Sequence, residues 1–79
     1  MKVRLKLFAT FRRYLPPGTQ GSACDVEVPE GTQVNDLLSR FGVPEKQSQM
    51  ILVNGRDAGP DRVLQDGDVV AVFPAMAGG

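Results

Sequence analysis

Apolar residues recur at every second position in two stretches near the start of the chain. The apolar positions alternate with basic residues in the first stretch and with acidic residues in the second: Val3, Leu5, Leu7, Cys24, Val26 and Val28. A period of two is typical of a strand with one buried face. The pattern therefore predicts two strands, with Cys24 as a small buried side chain. The basic face of the first strand is either solvated or a contact surface for an acidic partner.

A helical period follows the second strand. Apolar residues fall at i, i+3, i+4 and i+7, namely Val34, Leu37, Leu38 and Phe41. Thr32 is suited to be the N-cap, Arg40 lies in the last turn, and Gly42 is placed to end the helix. The sequence predicts an amphipathic helix of about ten residues that packs on the sheet.

The aromatic residues between the two strands also have helical spacing. Phe8, Phe11, Tyr14 and Leu15 predict a short helix that Pro16–Gly18 ends, with the aromatic rings in the core.

The second half of the chain reads as short strands separated by turns. Met50–Val53 is predicted as a strand before an Asn54-Gly55 turn, and Val63-Leu64 as a short edge strand. Gly67 and Asp68 form a turn before the apolar run Val69–Phe73, which is typical of a central strand. Asp66 and Asp68 are interpreted as turn residues, with contact to a basic partner as the alternative, and Pro74 is expected to stop the strand.

Together these elements predict an α+β fold of the β-grasp (ubiquitin-like) class. We expect a mixed sheet of four to five strands with one main helix packed across one face, and with the first and last strands parallel at the centre. The periodicity leaves open which residues of the last strand face the helix. Residues 1–79 are expected to form one domain, with 74–79 as a flexible C-terminal tail.

The sequence ends on Gly78 and Gly79. Six residues beyond Phe73 reach roughly 20 Å when extended. Because glycine has no side chain, the final carboxylate would lie on a thin tip able to enter a narrow active site of another protein. The alternative is a frayed terminus that happens to end in glycine.

Composition restricts the chemistry that the chain can perform. It has no histidine and one cysteine among 79 residues, so the usual general base, a zinc site and an internal disulfide are all unsupported. No phosphate-binding glycine motif is present.

The net charge is zero, which argues against a nucleic-acid role. The sequence contains no run of apolar residues of membrane-spanning length and no secretory signal, so we expect a cytoplasmic protein. Any role in chemistry would be that of a substrate.

Several of these features together resemble the MoaD/ThiS family of ubiquitin-like sulfur carriers. They are the opening strand running into LFATFR, the NG turn, the DGD before the last strand, and the FPAMAGG terminus. The FP-x-x-AGG ending and the LFA start are more similar to the small subunit of molybdopterin synthase. Ala75 and Met76 depart mildly from the family pattern.

The resemblance implies that Gly79 is the adenylated and then thiocarboxylated residue, and that Gly78 is the spacer in the partner's catalytic channel. Phe73, Pro74, Met76 and Ala77 would contact the partner, although Phe73 is alternatively a core residue. The resemblance implies three partners: an ATP-using, ubiquitin-activating-like adenylyltransferase; a larger catalytic synthase subunit; and a sulfur donor. No cofactor or metal is expected on this chain, and no catalytic residues of its own.

Three other functions are compatible with the sequence. The chain could be a protein modifier joined through Gly79 to lysines of other proteins. It could carry sulfur for thiamin, cysteine or another sulfur-containing metabolite. It could also be a β-grasp interaction module with an incidental tail.

Overall fold

The computed structural model describes residues 1–44 and 49–74 of the chain. These residues form five strands, one α-helix and one 3-10 helix. The strands are β1 (Lys2–Leu7), β2 (Ala23–Glu27), β3 (Gln49–Val53), β4 (Arg56–Asp57) and β5 (Val69–Pro74). The α-helix is α1 (Val34–Arg40), and the 3-10 helix is Ala9–Tyr14. Within the described ranges, no helix is long and apolar enough to cross a membrane.

The five strands form one mixed sheet in the order β2-β1-β5-β3-β4. β1 and β5 run parallel at its centre, with Arg4 opposite Val69 and Leu7 opposite Val72. The pairs β1–β2, β3–β5 and β3–β4 are antiparallel. This topology is the β-grasp arrangement, so the predicted fold class and the parallel first and last strands are confirmed.

The core lies between α1 and one face of the sheet. Its fully buried side chains come from alternate positions of the strands, from the apolar face of the helix and from the 3-10 helix: Val3, Leu5, Leu7, Val53, Val70, Val72, Val34, Leu37 and Phe11. Burying each of the larger ones contributes roughly 1.5–3 kcal/mol. Val70 and Val72 therefore face the helix, which answers the question that periodicity left open.

The helix begins one residue later than predicted. The N-cap is Gln33, whose backbone N–H donates to the Asp36 carboxylate at 3.0 Å. The prediction of Thr32 as N-cap was wrong, because the Thr32 hydroxyl instead donates to the carbonyl of Pro29 at 2.7 Å. Gly42 follows the helix at φ +80°, a conformation that glycine adopts without strain, as predicted.

The predicted edge strand at Val63-Leu64 was also wrong. Val63 makes a single bridge to Gln33, and Leu64 is buried instead. The edge strand on this side of the sheet is β4, which directly follows the Asn54-Gly55 turn; β2 is at the opposite edge. Both turn residues have positive φ (54° and 82°), as a tight hairpin turn requires, so this turn prediction is confirmed.

Of the four residues in the predicted helix from Phe8 to Leu15, Phe11 is buried in the core. Tyr14 and Leu15 pack partly against the core. Phe8 precedes the 3-10 helix, and its ring lies on the sheet face opposite α1. The prediction that all the aromatic rings fill the core was therefore wrong for Phe8.

Candidate functional site

The candidate site is the end of β5, from which the chain continues into residues 75–79. Phe73 and Pro74 lie here, opposite Met50 and Gln49 of β3. The Phe73 ring stacks on the ring of Phe8, with centroids 4.5 Å apart and planes 5° from parallel. Both rings are half-buried, and neither belongs to the core cluster. The alternative of Phe73 as a core residue is therefore not what the structure shows.

Pro74 belongs to β5, so the strand is one residue longer than predicted. Backbone groups alternate in direction along a strand. The carbonyl of Val72 points toward β1 and accepts from the backbone N–H of Phe8, the residue after β1, at 3.2 Å. The nitrogen of Pro74 therefore faces the same side. Its natural acceptor, the carbonyl of Phe8, is already bonded to the N–H of Phe11 at 3.0 Å. Proline is tolerated because the parallel ladder ends there.

The face of the sheet opposite α1 is apolar around this point, and we call it the open face. Val69, Ala71 and Phe73 are half-buried on β5, and Leu52 is half-buried on β3. Met50 is 54% exposed, which is unusual for a large apolar side chain in a strand. An apolar strip of this kind, continuous with the start of the tail, is typical of a protein contact surface.

A groove of about 750 Å³ borders the open face at the start of the tail. Its lining is mainly apolar and combines the 3-10 helix, β3, β5 and the loop after β4: Ala9, Met50, Ile51, Ala58, Pro60, Phe73 and Pro74, with Gln49 and Asp57 as polar members. The groove therefore gives a partner a concave apolar contact beside Phe73 and Pro74.

Ala9 occupies the left-handed region with φ +53°. A residue with a Cβ pays roughly 1–2 kcal/mol there. The strained turn takes the chain directly from β1 into the 3-10 helix, and so places Phe8 against Phe73 and Ala9 against the groove.

Charged residues occupy the other half of the open face. The Arg4 guanidinium donates to the Asp25 carboxylate at 2.8 Å. This hydrogen bond, and the nearby charges of Arg4 and Lys2, lower the pKa of Asp25 below its usual value although desolvation opposes them. Lys2 lies opposite Glu27, and Lys6 opposite Ala23 and Ala71.

The two acidic residues before β5 are turn residues, as predicted, but Asp68 does more than that. It is 6% exposed, and its carboxylate accepts from the side-chain amide of Asn54 and the N–H of Gln65, both at 2.8 Å. Asp66 is exposed and accepts from the N–H of Lys2 at 2.8 Å. Asp68 thus ties the hairpin turn after β3 to the start of β5.

Four of the six predicted site residues, namely Met76, Ala77, Gly78 and Gly79, lie outside the described residues. Their roles stay predictions. Cys24 is half-buried, and burial followed by the charge of Asp25 raises its pKa. No three metal-ligating side chains lie together within residues 1–44 and 49–74.

Sequence reasoning missed Phe8, Ala9 and Met50 as site residues. Each lies far from Phe73 and Pro74 in sequence: strand pairing brings Phe8 and Met50 to Phe73, and the turn into the 3-10 helix brings Ala9 to the groove. The LFA segment resembles a family motif, yet no local pattern shows that Phe8 stacks on a ring 65 positions away.

Comparison with known proteins supports a ubiquitin-like assignment. The family model described as Mut7-C ubiquitin matches residues 1–78. No curated protein sequence matches the chain closely enough to count as a relative. Among solved structures, a putative molybdopterin converting factor subunit 1 from Pyrococcus furiosus is 35% identical, with a TM-score of 0.71, over 95% of this chain and 98% of the other.

Two further structures share the fold. The small archaeal modifier protein 1 of H. volcanii is 22% identical with a TM-score of 0.73, over 95% of this chain and 98% of the other. A complex of subunits 1 and 2 of the molybdopterin-converting factor from Helicobacter pylori 26695 contains a match at 18% identity and a TM-score of 0.59, over the whole of both chains. The P. furiosus match confirms the resemblance to MoaD-type proteins. As the family model shows, the chain belongs to the Mut7-C ubiquitin family of ubiquitin-like proteins.

Proposed function

We propose that this chain is a sulfur carrier whose C-terminal Gly79 carboxylate is converted to a thiocarboxylate. The observation that carries the proposal is the 35% identity, over nearly the whole chain, to a putative molybdopterin converting factor subunit 1. The apolar strip at the end of β5 supports it, since a carrier has to present its tail to other proteins.

The chemistry requires activation, because a carboxylate oxygen is a poor leaving group. The carboxylate attacks the α-phosphorus of ATP and pyrophosphate leaves, which yields an acyl-adenylate. A sulfur nucleophile then displaces AMP. In this scheme the chain is the substrate of a ubiquitin-activating-like adenylyltransferase, and Gly78 keeps the tail thin enough for the enzyme's channel. The chain supplies no catalytic group.

We assign the sulfur to molybdopterin synthesis, with a larger catalytic synthase subunit as the second partner. The names of the P. furiosus and H. pylori proteins support this assignment, the latter being a complex of two subunits. Phe73, Pro74, Met76 and Ala77 would form the partner contact, with that subunit as with the activating enzyme. Thiamin, cysteine or another sulfur-containing metabolite remain alternative destinations, and a cytoplasmic location remains a prediction.

A second candidate function is conjugation through Gly79 to lysines of other proteins. The shared fold with a small archaeal modifier protein favours this alternative. Both functions begin with the same adenylate, but they differ in product.

The experiment that tests the proposal is the intact mass of the protein after incubation with a matching activating enzyme, ATP and a sulfur donor. A carrier gains the mass difference of one sulfur replacing one oxygen, and a variant lacking Gly79 does not. Ladders of heavier species would instead support the modifier. An unchanged mass, with the enzyme shown to act on its own carrier, would contradict both.

Gly78→Val is the matched variant. It should fold normally and fail to be adenylated, because a β-branched side chain is bulky and restricts the backbone. Normal adenylation of this variant would refute the steric role of Gly78.

A further inference from the structure

The basic residues on the open face of β1 lie opposite carboxylates of β2 in the strand register, with one exception. On β1, Lys2 lies opposite Glu27 of β2, and Arg4 lies opposite Asp25. Arg4 and Asp25 form the one ion pair found within the described part of the chain. Lys6 lies opposite Ala23 on β2 and Ala71 on β5. The register therefore gives Lys6 no carboxylate directly across from it on either neighbouring strand.

Lys6 is also the basic residue of β1 closest to the start of the tail. Phe8, two residues further on the same face, stacks on Phe73. Lys6 is half-buried, whereas Lys2 and Arg4 are exposed. Its hydrocarbon stem therefore lies among apolar neighbours while the ammonium stays in water.

A partner that covers the apolar strip around Phe73 would also cover Lys6. Burying an ammonium without a hydrogen-bonded counter-ion is costly, whereas the exposed Lys2 end of β1 can stay in water. A carboxylate placed to meet Lys6 would remove that cost, and a partner without one would be rejected.

We propose that the activating enzyme presents a carboxylate to Lys6, which makes Lys6 a specificity-determining residue of the contact surface. This inference rests on the proposed function. The apolar strip provides buried area, and Lys6 fixes the orientation in which the tail approaches the enzyme.

The test measures the Kd between the chain and a matching activating enzyme by isothermal titration calorimetry. Lys6→Glu should raise Kd by about tenfold or more, because two carboxylates then meet. Lys6→Met keeps the stem length and removes the charge, and it should also raise Kd. Lys6→Arg should stay within about threefold of the parent chain. Lys2→Glu and Lys2→Met are the matched controls on the same strand and face, with small effects expected.

Lys6→Met distinguishes the proposal from a purely apolar contact, because the two predict opposite changes in Kd. If no carboxylate meets Lys6, replacing it by methionine removes an unpaired ammonium and should lower Kd. Raising the salt from about 0.05 M to about 0.3 M should weaken the parent chain more than Lys6→Met. A circular dichroism spectrum identical to that of the parent shows that each variant is folded.

The outcomes distinguish failure of the Lys6 proposal from failure of the proposed sulfur-carrier function. If the parent chain gains sulfur but Lys6→Met binds as tightly or more tightly, the Lys6 proposal alone is overturned. Equal losses in the Lys2 and Lys6 variants would also overturn it, since general charge would then explain the binding. If the parent chain neither binds nor gains sulfur, the proposed function fails and this inference fails with it.

Discussion

Asp68 is the residue whose removal should most clearly weaken the fold without touching the apolar core. We expect Asp68→Ala to lower the free energy of unfolding by about 3–6 kcal/mol. The carboxylate accepts two hydrogen bonds of 2.8 Å in a site that is 6% exposed. Each hydrogen bond to a charged group contributes about 1.5–3 kcal/mol, and the Asn54 amide and Gln65 N–H would lose their acceptor.

This loss is large for a chain of 79 residues, whose total stability is about 4–12 kcal/mol. Urea unfolding followed by far-ultraviolet circular dichroism measures it, with the midpoint falling while the slope stays constant. Asp66→Ala is the matched control in the same turn. Asp66 is exposed and accepts one backbone hydrogen bond, so its removal should cost about 1 kcal/mol or less.

A double-mutant cycle with Asn54→Gly isolates the side-chain contact. Glycine keeps the positive φ of position 54, so the variant removes the amide without straining the turn. The coupling energy should be about 1–2 kcal/mol. The reasoning is refuted if Asp68→Ala costs no more than Asp66→Ala, or if the two changes at positions 54 and 68 are additive.

Three further changes test other parts of the structure. Phe73→Ala should lower the free energy of unfolding by about 1 kcal/mol through the lost ring stack, and it should raise the Kd for the activating enzyme about tenfold. Val69→Ala, at the far end of the same strand face, is the control. Equal effects of the two variants on Kd would contradict a hot spot at Phe73. Ala9→Gly should not lower the free energy of unfolding in urea, because it relieves the roughly 1–2 kcal/mol of strain that a Cβ causes at φ +53°. Ala9→Val should lower it, because a β-branched residue is disfavoured there more strongly than alanine; equal stability of the two variants would count against strain. Because burial and Asp25 raise the pKa of Cys24, its thiolate fraction at pH 8 is smaller than that of a free cysteine. Its reaction with a disulfide reagent should therefore be slower and speed up at higher pH; a rate matching free cysteine at pH 8 would contradict this.

The sequence predicted the structure correctly where a few neighbouring residues determine the local conformation. The alternation of Val3, Leu5 and Leu7 predicted a buried strand face, and all three side chains are at most 1% exposed. The Asn54-Gly55 turn likewise follows from the backbone preferences of two adjacent residues. Local signals of this kind are contained within a few positions, so one sequence suffices to read them.

The errors at Thr32 and Val63 arose where another backbone segment, near or distant, bonds to the group that the local pattern had assigned elsewhere. Thr32 has the chemistry of an N-cap, but its hydroxyl donates to Pro29, and the first helical N–H at Val34 donates to the carbonyl of Arg62. Val63 has a strand-forming side chain, but it bridges to Gln33 rather than joining the sheet. The contacts of Val34 with Arg62 and of Val63 with Gln33 join distant segments and are not visible in the local sequence. The bond from Thr32 to Pro29 is local, and Thr19 makes the same bond to Pro16, so this one lies within the local sequence.

The candidate site shows the same division. Phe73 and Pro74 could be identified from the sequence because they border the tail. Phe8 and Met50 could not, because their contribution depends on the register that places β1 and β3 on either side of β5. Periodicity also could not predict which side chains of β5 face the helix, because Val69–Phe73 is apolar at every position.

The parallel pairing of β1 with β5 has a consequence for how the chain acquires its structure during synthesis. Arg4 lies opposite Val69, so the central ladder joins residues 65 positions apart. Closing such a loop carries an entropic penalty of about 3–4 kcal/mol before any contact offsets it. Until β5 leaves the ribosome, β1 has β2 as its one sheet neighbour, and Leu5 and Leu7 lack the valines beside them. The nascent chain thus passes through a stage with an unpaired strand edge and exposed apolar side chains, which makes it a candidate for chaperone binding.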